Sequence, residues 1–62
     1  MQLTHILEAN AEAQTLGYLN LEDLRLGWMN EFLTVGGFAD YHHVSYERAC
    51  DLIETAIFWT KE

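Results

Sequence analysis

At 62 residues the chain makes one small domain (residues 1–62), and with half its residues hydrophobic it has a folding composition, not that of a disordered acidic tail. Ten Asp/Glu against three Lys/Arg give a formal net charge of -7. This charge opposes an ordinary phosphate-gripping surface, which needs several cations, and opposes attraction to anionic lipid. Cys50 stands alone, so no intrachain disulfide is possible and a reducing, cytoplasmic setting is expected. The start, Met1-Gln2-Leu3-Thr4-His5, lacks the basic and apolar regions of a signal peptide. No apolar run nears the roughly 20 residues needed to cross a bilayer. A chain this short buries only about 60% of the surface its unfolded form exposes, so self-association as a homodimer is the expected aid to stability.

The spacing predicts an all-α fold, a small bundle of about four helices. The first runs from about Leu3 to about Gln14, with Leu3, Ile6, Leu7 and Ala11 on one side and Gly17 at or beyond its end. The second runs from about Leu21 to about Leu33. Asn20 is its N-cap, Glu22 and Asp23 suit the positive end of the helix dipole, and Leu21, Leu24, Trp28 and Phe32 form the buried stripe. Gly27 in its middle is expected to let another backbone approach. The third, about Val35 to His42, is capped by Thr34 and anchored by Phe38, Ala39 and Tyr41. The fourth, about Tyr46 to Lys61, is capped by Ser45, with Ala49, Leu52, Ile53, Ala56 and Ile57 as core and Cys50 flanking them.

Phe38-Ala39, Val44-Ser45, Ala49 and Leu52-Ile53 follow the pattern of a helix-turn-helix. This part, about a third of the chain, resembles the helix pair of excisionase-like and MerR-like regulators. The resemblance implies that an alanine lets the helices cross closely and that Ser45 caps the second helix. It puts His43 where the family usually has a glycine of positive φ. It also implies a DNA-reading second helix, but Tyr46, Glu47, Arg48 and Asp51 would lead that helix, with one cation against two carboxylates. Arg25 is expected to pair with Glu22 and Arg48 with Asp51 at helical spacing, leaving few cations for phosphate.

Glu47, Asp51 and Glu54 recur at i, i+4 and i+7 on one helix face, about 6 Å and about 10.5 Å apart by helical rise. Such a row is either a solvated face or a contact for a basic groove that normally holds nucleic acid. Ala56-Ile57-Phe58-Trp59 cannot all face one core, because successive residues point about 100° apart. Either the first helix covers Phe58 and Trp59, or they are exposed and mark an interface. Leu26 and Met29 pose the same question.

Adjacent His42 and His43 make a poor chelate, Cys50 has no base arranged beside it, and Gly36-Gly37 lacks the following Lys and Ser/Thr of a phosphate loop. No metal, cofactor or catalytic residue is expected. In style the chain resembles small phage and mobile-element accessory proteins of the anti-CRISPR or host-takeover type. That resemblance implies an inhibitor that blocks a basic, nucleic-acid-binding surface of a host protein. Glu47, Asp51 and Glu54 would supply charge, and Tyr46, Phe58 and Trp59 apolar anchors. The alternatives are a DNA-binding regulator and a homo-oligomeric assembly module.

Overall fold

The computed structural model describes residues 3–60. It consists of α1 (Leu3–Thr15), α2 (Leu21–Glu31), α3 (Val35–His42) and α4 (Tyr46–Thr60). The fold is an all-α bundle in which α3 and α4 are arranged like a helix-turn-helix. α4 is the hub and touches each of the other three helices.

Each of the last three helices starts on a side-chain cap. Asn20 Oδ1 accepts from the Asp23 N–H at 2.9 Å, Thr34 Oγ1 from Gly37 at 3.0 Å, and Ser45 Oγ from Arg48 at 3.0 Å. Caps of this kind contribute about 1 kcal/mol each. α1 and α3 end alike. The Tyr18 N–H donates to the Ala13 carbonyl at 3.0 Å and Gly17 N–H to Gln14 at 3.1 Å; Val44 N–H donates to Ala39 at 3.0 Å and His43 N–H to Asp40 at 3.3 Å. These are paired Schellman closures, which need a left-handed residue just past the helix. Gly17 supplies it at φ +107°, and His43 supplies it at φ 58°, ψ 43°. The position expected from the helix-turn-helix pattern is therefore left-handed with histidine in it.

The core centres on Phe38, which is fully buried and joined by Leu21, Leu24, Leu52, Ile53 and Ile6. Five alanines, Ala9, Ala13, Ala39, Ala49 and Ala56, complete it and allow close helix contacts. Trp28 and Phe32 meet the Phe38 ring edge-on at centroid distances of 6.1 and 5.1 Å, and Tyr18 stacks on it at 6.5 Å. The α2 stripe of Leu21, Leu24, Trp28 and Phe32 thus faces the core as expected. The helix itself stops at Glu31, with Phe32 extended and Leu33 almost wholly exposed.

Several sequence expectations are corrected. α1 buries Ile6, Ala9 and Ala13, while Leu3, Leu7 and Ala11 are exposed. Apolar residues surround most of that helix, and its rotation is set by which face lets α4 come close, a face of alanines. Tyr41 and Ile57 are 70% and 40% exposed, so neither anchors its helix in the core. Thr55 is buried instead, its hydroxyl 3.3 Å from His5 Nε2. Gly27 admits an aromatic ring and no backbone: a Cβ there would lie 2.8 Å from Tyr18 Cε1. Arg25 bonds Thr60 Oγ1 at 2.6 Å instead of pairing with Glu22. The expected end of the last helix at Lys61 lies outside the described residues.

Candidate functional site

The chemistry-bearing surface forms where α1 lies along α4. The two run antiparallel, because His5 meets Thr55 and Asp51 while Glu12 meets Arg48. The Arg48 Nε donates to Glu12 Oε1 at 2.6 Å, another of its nitrogens contacts the same oxygen, and Nη1 donates to Asp51 Oδ2 at 3.0 Å. The other Asp51 oxygen lies 3.2 Å from His5 Nε2. The hydrogen bond to Glu12 holds the Arg48 pKa above its ordinary value; burial opposes this, and the charges of Glu12, Asp51 and Glu8 add to it. Arg48 is therefore engaged within the fold.

Glu47, Asp51, Glu54 and Phe58 follow at i, i+4, i+7 and i+11, a single stripe along α4. Glu47 and Glu54 are exposed and Phe58 is 63% exposed. Asp51 is half-buried, with one oxygen on Arg48, the pairing expected from their spacing, and the other beside His5, so it is not a free charge. Tyr46 and Trp59, also expected at the site, are exposed but point to opposite flanks of that stripe, each one residue off it. Trp59 borders an open depression of about 220 Å3 with Asn10, Asn20, Leu21, Glu22 and Thr60. The six residues thus do not converge: four form a row and two diverge. α1 does not cover Phe58 or Trp59.

Glu8 and Glu12 also belong to this face, although α1 taken alone gives no reason to group them with α4. The one signal was their i, i+4 spacing. With them the α1–α4 face carries five carboxylates, Glu8, Glu12, Glu47, Asp51 and Glu54; Glu12 and Asp51 contact the Arg48 guanidinium and Glu8 also acts on its charge.

The histidines of the turn have separate roles. His42 Nε2 lies 2.8 Å from the Tyr18 hydroxyl, and its ring packs 4.5 Å from the Phe38 centroid. Burial lowers the His42 pKa, with Glu31 opposing, and raises that of Tyr18, with Glu31 adding to the effect. His43 holds the left-handed turn. Among the described residues no three His, Cys, Asp or Glu side chains gather to hold a metal ion. Cys50 is half-buried on the flank of α4.

Fold and surface together define a small all-α bundle built on a helix-turn-helix-like pair, with one strongly acidic face. Comparison with protein families, characterised proteins and solved structures found no match for the chain.

Proposed function

We propose that this protein is a protein-binding module of the inhibitor type, laying its α1–α4 acidic face on a basic surface that otherwise holds nucleic acid. The observation that supports the reading is that five carboxylates share one face whose arginine is satisfied internally by Glu12 and Asp51. Such a face attracts a cationic groove over several ångströms and speeds encounter, while repelling nucleic acid itself. Glu8, Glu47 and Glu54 are the outward charges, Asp51 and Glu12 give depth to the field, and Tyr46 is an apolar contact at the head of α4. The resemblance to phage accessory proteins points to a host or defence protein as the target.

The test is capture of partners from host lysate on the immobilised protein, eluted by a salt gradient. A nucleic-acid-binding protein released at moderate salt, displaced by added nucleic acid and lost with Glu8→Lys plus Glu47→Lys, supports the reading. A partner indifferent to salt and to those changes sinks it.

A DNA-binding regulator is the second reading, favoured by left-handed His43 and capping Ser45, which reproduce a helix-turn-helix turn. Against it, the cation at the head of α4 is held by Glu12 and Asp51. A gel-shift assay at low salt decides: with no retarded band, the DNA reading fails.

A further inference from the structure

We draw no further inference here: the strongest candidate, the exposed apolar last turn of α4 at Ile57, Phe58 and Trp59, carries none because nothing in the structure shows what covers it.

Discussion

The two ends of this small bundle are held together by different physics. Around Phe38, the α1–α2 turn, α2 and α3 meet through rings: Tyr18, Trp28, Phe32 and His42 enclose a side chain with no exposure at all. Between α1 and α4, Ala9 and Ala13 bring the backbones close and the rim is sealed by His5, Glu12, Arg48 and Asp51. The aromatic nest draws on burial, which is non-directional and insensitive to salt. The seam draws on charged hydrogen bonds that are half-exposed, and such bonds weaken with salt. The seam also has a by-product. Satisfying one arginine from two sides leaves the surrounding carboxylates on the same surface, so the acidic face and the helix contact are one construction.

The change that should most sharply break this contrast is Phe38→Ala. Removing a fully buried ring costs about 3–5 kcal/mol, enough to abolish a cooperative thermal transition in a chain this short. A variant that still melts cooperatively near the parent temperature would show that the nest is not what organises the fold. Arg48→Met acts on the other end. It leaves Glu12 and Asp51 without their donor but in partial contact with water, so a loss of about 1–2 kcal/mol is expected after allowing for solvent screening. High salt should narrow the gap between this variant and the parent, while leaving the Phe38 effect untouched; urea titration at two salt concentrations measures both.

His43→Gly is expected to stabilise slightly, by less than about 1 kcal/mol, because glycine adopts the left-handed turn without the Cβ clash. The same change at His42 should not do so, since His42 packs in the nest. The smallest expected effect depends on pH. The His42 pKa is lowered by burial, so the unfolded chain takes the proton first. Its contribution is complete above the unfolded value of about 6.5 and is lost as pH falls through the lowered folded value. His42→Gln should flatten the fall in stability as pH drops below about 6.5; an unchanged slope would assign that dependence to another group.

Local signals proved legible wherever one residue and its neighbours decide the outcome. Asn20, Thr34 and Ser45 cap their helices because a short side chain before a helix meets a free N–H whatever the surroundings. The Leu21–Leu24–Trp28–Phe32 stripe was readable for a similar reason: α2 is polar elsewhere over most of its turns. α1 was misread because Leu3, Ile6, Leu7, Ala9, Ala11 and Ala13 offer more than one apolar face, and large side chains suggested the wrong one. The i, i+4, i+7 row on α4 was read correctly as a row. The pairing of its middle member with Arg48 was legible from their spacing; the contact with His5 was not, because His5 is 46 residues away in sequence.

The sequence by itself determined the all-α class, the caps, the turn at His43-Val44-Ser45 and the excess of negative charge. These follow from local geometry and from counting, which need no knowledge of distant contacts. Only the tertiary structure decided which side of α1 is buried, that Glu8 and Glu12 join the α4 row, that Glu12 holds Arg48 alongside Asp51 and that Ile57, Phe58 and Trp59 remain uncovered. The reason is that close approach between helices is a competition among whole faces, settled by where alanines let backbones meet, and no single helix carries that comparison.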